Sequence, residues 1–303
     1  MGDLAEIAQR FGVCLLYHAT FDTVPTELSA RLDNVAPAVL HEHLATLRRD
    51  FTFVSVDELV EAQHRAGLAA VTFDDGYRCV IEQALPVLAD LQIPATIYIN
   101  SKTFDGEKGW RDKVRFLIEH DLVEAFEIEM HGIDNPHGKT FYRYSKDFHN
   151  DSRCVETEID RFLDRHSIEF DANHYQFDSV DWIVEHPLLR YGNHSHSHYV
   201  LASLTPDQQY DEIDRPRRWL TEHGIGSVSE LFSMPFGGVD DFNEATVGIL
   251  TELGYRGMLL SRARLQPDAL EFMGLPVLER IMPRLGPIAD KLASAADASA
   301  TAE

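Results

Sequence analysis

Val71-Thr72-Phe73-Asp74-Asp75-Gly76-Tyr77 reads as the end of a buried strand running into a turn. Apolar and β-branched residues lead in, and a glycine lets the backbone turn away. Neighbouring side chains on an extended segment point to opposite sides, and two adjacent carboxylates repel one another. A metal ion with a proton to move beside it would account for the pair. Ordinary Asp-Gly turn chemistry is the other reading of the same residues.

Working outward, the strand Leu68–Phe73 is preceded by a short apolar run, Gly12–Tyr17, that ends at His18. Between them a helical pattern over Pro37–Arg49 carries Val39, Leu40, Leu44 and Leu47 on one face, with proline near its start. A short strand over Phe51–Val54 follows, then a helix over Val56–Ala66 with Asp57 able to cap it and Gly67 to end it. Downstream, a helix over Cys79–Leu91 leads to the strand Ala95–Ile99. Alternation of strand and helix favours an α/β fold with a largely parallel sheet.

The alternation breaks between about residues 101 and 185, a long insertion dense in His, Tyr, Phe and Lys, with helical pieces at Lys113–His120 and Val155–His166. Loops of this length are commonly lids or disordered segments. Trp110, Tyr142, Tyr144, Tyr175 and Trp182 offer rings that could stack on sugars or pack a small core of the insertion. The rhythm resumes with a strand over Leu188–Tyr191, a helix over Pro206–His223 and a strand over Glu230–Met234. A helix over Phe242–Leu253 and strands over Gly257–Leu260 and Val277–Met282 complete it. Residues 1–290 therefore read as a single domain and 291–303, rich in Ala, Ser and Asp, as a disordered tail.

The 303 residues include 27 basic and 50 acidic side chains, a formal charge of -23, which argues against nucleic acid or an anionic membrane surface as partner. Cys14, Cys79 and Cys154 form no paired framework. No run approaches the roughly 18 apolar residues of a membrane span, and Met1–Arg10 lacks the pattern of a signal peptide, so the expected location is cytoplasmic.

His18, Asp74-Asp75, His194-Ser195-His196-Ser197-His198 and Pro235-Phe236-Gly237 all lie just past the C-terminal ends of predicted strands. In a parallel sheet or barrel those ends share one face, where such folds place their chemistry. His194 and His198, four apart, can reach one ion from a helical turn, and an aspartate would complete three ligands. In an extended segment His196 would share their face instead. Such an ion could polarise a carbonyl and acidify water, with one carboxylate taking the proton. His18 is the best-placed group to protonate a leaving group.

Thr72-Phe73-Asp74-Asp75-Gly76 resembles the first motif of the polysaccharide deacetylases with a NodB-type domain (carbohydrate esterase family 4). His194-Ser195-His196-Ser197-His198 fits the second, His-Ser/Thr-x-x-His, and Met234-Pro235-Phe236-Gly237 is similar to the third, Arg-x-Pro-Tyr/Phe-Gly. The resemblance implies a distorted (β/α) barrel and a hydrolase of carbon–nitrogen bonds. It implies Asp74 as general base, and Asp75, His194 and His198 as ligands of a divalent metal ion, zinc first with cobalt or nickel as alternatives. The Phe236 backbone amide is then the oxyanion donor, with Pro235, Gly237 and Tyr77 beside the substrate. Two departures matter. The third motif opens on Ser233 rather than arginine, and Arg280 is the candidate to orient Asp74. No histidine follows His223, so Leu16-Tyr17-His18 supplies the Leu-x-His pattern, as in the permuted arrangement of poly-N-acetylglucosamine deacetylases, with His18 as catalytic acid. The family's Asp-Trp motif has no identified counterpart.

The expected function is N-deacetylation of an N-acetylated sugar or glycan in surface-polysaccharide metabolism. A small or lipid-linked amide or formamide is the alternative substrate, and a saccharide-binding protein with a decayed site the alternative class.

Overall fold

The computed structural model describes residues 4–29, 31–170, 175–265, 270–284 and 286–300. A short helix, α1 (Leu4–Ala8), leads into β1 (Val13–Tyr17); α2 (Pro37–Leu47), β2 (Thr52–Phe53) and α3 (Val56–Glu61) then lead to β3 (Leu68–Phe73). A π-helical turn (Val80–Ala84) runs into α4 (Leu85–Leu91), and β4 (Ala95–Ile99) follows. The insertion is helical: α5 (Trp110–Glu119), α6 (Val123–Glu129), α7 (Phe141–Tyr144) and α8 (Ser152–Arg165). Then come β5 (Leu189–Asn193), α9 (Pro206–Glu222), β6 (Val228–Ser233), α10 (Glu244–Glu252), β7 (Gly257–Leu260), β8 (Leu270–Phe272), β9 (Leu275–Glu279) and α11 (Ile288–Ala300).

The strands run in the order β1-β3-β4-β5-β6-β7-β9-β8, with every neighbouring pair from β1 to β9 parallel and only β8 antiparallel. The sheet curls back on itself. Leu15 bridges Ile281 in parallel, with Leu16 N–H donating to the Ile281 carbonyl at 2.8 Å and Ile281 N–H to Cys14 at 2.8 Å. β1, β3 and β4 are buried along their length or nearly so, as expected of strands covered on both faces.

Inside the curl, Cys14, Ala70, Tyr98, Leu231, Leu259 and Leu278 from six strands form one layer, closed at the N-terminal end by Val56 and Leu59 of α3. Gly192 belongs to this interior by necessity, because a Cβ there would lie 2.3 Å from the Tyr98 ring. Two residues further along the strands the lining turns polar: Thr72, Ser233 and Arg280. Period-two alternation thus carries an apolar plug into a polar floor beneath the C-terminal rim.

Three expectations change. Ser55, not Asp57, caps α3, in a capping box with Glu58, while Asp57 accepts from Ser229 Oγ and Glu230 N–H, each at 2.9 Å. β8 was not expected from the sequence. Residues 291–300 continue a helix rather than a disordered tail, because Leu292 and Ala295 are buried against the layer that includes Ile7 and Leu44; the rest of the expected tail, 301–303, lies outside the described residues. Among the described residues no helix is long and apolar enough to cross a membrane.

The insertion is packed, not loose. Val114, Leu117, Phe126, Ile159 and Phe162 share a buried cluster. Glu156 of α8 accepts from Lys102 at 2.7 Å, from Lys113 at 3.0 Å and from the Tyr199 hydroxyl, which ties the insertion to the rim.

Candidate active site

Asp74 ends the inward-facing series Ala70, Thr72, Asp74 on β3. Asp75 escapes the alternation that would point it away: its backbone is left-handed, φ 72°, so both carboxylates reach the same groove. That groove is lined by His18, Asp74, Asp75, His194, His198, Phe236 and residues of the insertion. Left-handed backbone recurs at Ser195 (φ 65°), His198 (φ 58°) and Phe236 (φ 63°), so the rim holds several non-glycine residues in a costly conformation.

Asp74 is 2% exposed and held by three hydrogen bonds from two side chains. Arg280 donates to both its oxygens, Nη1 to Oδ1 at 2.9 Å and Nη2 to Oδ2 at 2.8 Å, and Ser233 Oγ donates to Oδ2 at 3.0 Å. The same guanidinium contacts Ser233 Oγ at 2.9 Å and Thr72 Oγ1 at 3.3 Å. Burial pushes the Asp74 carboxyl up, but the Arg280 charge, His194 and the Arg280 hydrogen bonds outweigh it and hold it well below the usual carboxylate range. Arg280 therefore fills the place beside Asp74 that the missing motif arginine left open. Ser233, standing at that arginine's position in the motif, supplies a second contact.

The segment 194–198 is not the helical turn that would pair its histidines. It is an irregular loop, pinned by Asn100 Nδ2 donating to the carbonyls of His194 and Ser195 (3.1 Å to the latter) and by His198 N–H donating to Ser195 Oγ at 2.9 Å. His196 points away, to Ser101 Oγ at 2.9 Å and Arg215 at 3.2 Å. His194 Nδ1 lies 2.8 Å from the Ser233 carbonyl, which accepts a hydrogen bond from Nδ1–H in the tautomer that keeps the lone pair on Nε2. His194 Nε2 and His198 Nε2 stand 3.6 and 3.4 Å from Asp75 Oδ1.

These separations test the fit of a metal ion. At 3.6 Å a nitrogen and an oxygen do not share a hydrogen bond. Ligands each about 2.1 Å from one ion stand about 3.0–3.5 Å apart. The three donor atoms of Asp75, His194 and His198 all lie within 4.8 Å of one another. Burial, opposed by the Asp75 charge, takes the His198 imidazole down to about 3, so it is neutral and ready to ligate. The residues fit a divalent ion.

His18 stands on the rim between the Asp74 strand and the Arg280 segment, and its buried Nδ1 has no partner among the described residues. Phe236 is the centre of a three-residue turn, with Gly237 N–H donating to the Pro235 carbonyl at 2.7 Å. Gly237 is required there, since a Cβ would lie 2.1 Å from Ser261 Oγ. Pro235 and Gly237 shape this turn and do not line the groove. Tyr77 also lies outside the lining of this groove: it is fully buried, and its hydroxyl donates to Asp112 at 2.7 Å, which docks α5 on the rim. Of the five insertion aromatics, Tyr142 alone lines the groove; Trp110 is buried, its indole N–H donating to the His198 carbonyl at 2.9 Å. Sequence reasoning missed Arg111, Arg143 and Lys146, which line the groove from the insertion and belong to no motif.

A parallel barrel whose rim gathers a clamped aspartate and an Asp-His-His cluster has the makings of a hydrolytic site. The sequence model for polysaccharide deacetylases matches residues 61–258, and the chain belongs to that family, hydrolases of carbon–nitrogen bonds. Solved structures share the fold. IcaB from Ammonifex degensii is 18% identical with a TM-score of 0.57, over 94% of this chain and 97% of that one. A Streptococcus pyogenes deacetylase, PplD, in complex with acetate is 16% identical with a TM-score of 0.56, over 94% and 97%. A de-N-acetylase from Aggregatibacter actinomycetemcomitans is 13% identical with a TM-score of 0.55, over 92% and 98%. No curated protein sequence matches the chain.

Proposed function

We propose that the protein is a metal-dependent N-deacetylase that hydrolyses the acetamide of an N-acetylated sugar. The observation that carries this reading is the Asp75, His194 and His198 donor set beside an aspartate clamped by arginine. A divalent ion held by those three, zinc or in its place cobalt or nickel, would supply Lewis acidity and an acidified water.

The chain's own groups supply the remaining steps. Asp74, ionised throughout the physiological range, accepts a proton from the attacking water; Arg280 and Ser233 fix the orientation in which it does so. The Phe236 N–H donates to the oxygen that gains charge as the carbonyl is attacked. His18 gives a proton to the sugar nitrogen as the carbon–nitrogen bond breaks. Acetate and a free amine leave, which balances the water consumed.

Treatment with a chelator should abolish acetate release, and zinc or cobalt should restore it. Unchanged turnover in metal-stripped protein would sink the proposal. Measuring formate beside acetate over a panel of sugars and small amides identifies the acyl group and distinguishes a deformylase.

A further inference from the structure

The chain is acidic overall, with 27 Lys and Arg against 50 Asp and Glu, yet the wall that the insertion raises over the groove has the opposite sign. Arg111, Arg115, Arg143 and Lys146 line it there, and Arg284 lines it from the far side. Two of these are already neutralised, Arg115 by Asp112 and Arg284 by Asp33. Arg111, Arg143 and Lys146 have no carboxylate within ion-pair distance among the described residues.

Arg111 is the most informative of the three. It is only 6% exposed, and its donors meet neutral acceptors, Ser145 Oγ at 2.9 Å and the Tyr142 carbonyl at 3.3 Å. Its guanidinium carbon lies 4.8 Å from the centre of the Tyr142 ring and 5.5 Å from that of Phe236. Lys146 Nζ lies 5.4 and 4.8 Å from the same two rings. Two like charges therefore crowd one pair of rings. Burial is the main cause that lowers both: Arg111 falls to about 10 beside Arg115, with Tyr142 and Asp112 opposing, and Lys146 falls to about 8 beside Arg111 and Arg143, with Asp241 opposing. Sequestering unpaired charge is expensive, and aromatic faces offset a fraction of it. The Phe236 ring in turn packs 4.6 Å from that of His198, so the unmatched charge lies one ring away from the proposed metal ligands.

We propose that the groove takes an N-acylated sugar that also carries a phosphoryl group, seated on Arg111, Arg143 and Lys146 while the acyl group meets Asp74 and Asp75. This rests on the deacetylase reading. A phosphate ester brings close to two negative charges and three acceptor oxygens, which matches three cations better than a single carboxylate does. A neutral glycan leaves them unpaired.

The test compares kcat/KM for acetate release from N-acetylglucosamine 1-phosphate, from its nucleoside diphosphate ester, from neutral N-acetylglucosamine oligomers and from the corresponding N-acetylated uronate. At least one phosphorylated sugar should exceed the neutral oligomers by about tenfold or more, and whichever of the two is faster identifies a mono- or a diphosphate. That ratio should collapse toward one in Lys146→Met/Arg143→Gln. It should persist in Arg153→Gln, which removes a charge paired with Asp151 on the outer face of α8. Equal or faster turnover of the neutral oligomers, a preference for the uronate, or a phosphate preference that survives the double substitution would overturn the inference. Thermal stabilisation by inorganic phosphate, present in the wild type and reduced in the double variant, is read without turnover. Its absence counts against the anion seat while acetate release from neutral sugar still supports the deacetylase. Its presence with no acetate released from any sugar supports the seat and sinks the deacetylase.

Discussion

The barrel rim and the insertion wall treat buried charge in opposite ways. On the rim, Asp74 and Arg280 are 2% and 1% exposed and satisfy one another through two hydrogen bonds, with Ser233 bridging them. Across the groove Arg111 is nearly as buried, yet it meets only neutral oxygens and aromatic faces. A matched pair keeps its own geometry and is suited to steering a proton. An unmatched cation is suited to receiving charge from outside. On the proposed reading the rim carries the reaction and the wall selects what reaches it.

Arg280 is where a substitution should cost most. Arg280→Met leaves a carboxylate buried without its partner, at a cost of about 3–5 kcal/mol, and should lower kcat/KM by about 10²-fold or more. Because Arg280 holds the Asp74 carboxyl low, its removal raises that pKa, so the acid limb of the pH–rate profile moves to higher pH. The sign for stability is also fixed. A depressed aspartate stabilises the fold above its unfolded pKa of about 3.9, and that contribution fades as pH falls below it. The variant should therefore lose stability at neutral pH and lose little in strong acid, measured by denaturant titration at both. An unmoved acid limb would show that Arg280 does not set the ionisation of Asp74.

A smaller effect sharpens the other half. Lys146 faces Arg111, Arg115, Arg143 and Asp241, and burial with those cations takes it down to about 8. Phosphoryl esters are already dianionic there, their second pKa being about 6. The preference for phosphorylated over neutral sugar should weaken as pH rises through about 8, whereas Lys146→Met should show no such inflection. A preference flat to pH 10 would assign the discrimination to other groups.

The smallest effect on turnover belongs to Tyr77. Tyr77→Phe removes a hydrogen bond to the buried Asp112 carboxylate and should cost about 1.5–3 kcal/mol of stability. Its kcat/KM should stay at the wild-type value, since the hydroxyl faces α5 and not the groove. A large rise in KM with unchanged melting temperature would return Tyr77 to the substrate.

The rim was legible in the sequence because its chemistry is local. Asp74-Asp75-Gly76 and His194–His198 are short patterns at strand ends, and strand-helix alternation alone places those ends on one face. Arg280, at the tip of the last expected strand, was the candidate once Ser233 stood where the family motif has arginine. The wall was not legible. Arg111 lies on α5 while Arg143 and Lys146 lie in α7 and the turn after it, and the two segments are brought together by tertiary contacts such as Arg111 with Ser145 and Tyr142. β8 is a short, exposed antiparallel strand with no buried face to give it a period. The helix at 288–300 looked like a tail because its apolar positions are mostly alanine, where burial depends on what packs against them.

The proposed function requires that Asp75, His194 and His198 hold an ion on which acetate release depends. Its most direct test is to measure bound zinc and acetate release together in the wild type and in His194→Ala/His198→Ala, with circular dichroism confirming the fold. The prediction is that the wild type carries close to one equivalent of metal and the folded double variant loses both metal and activity. A folded double variant that releases acetate at the wild-type rate would contradict it.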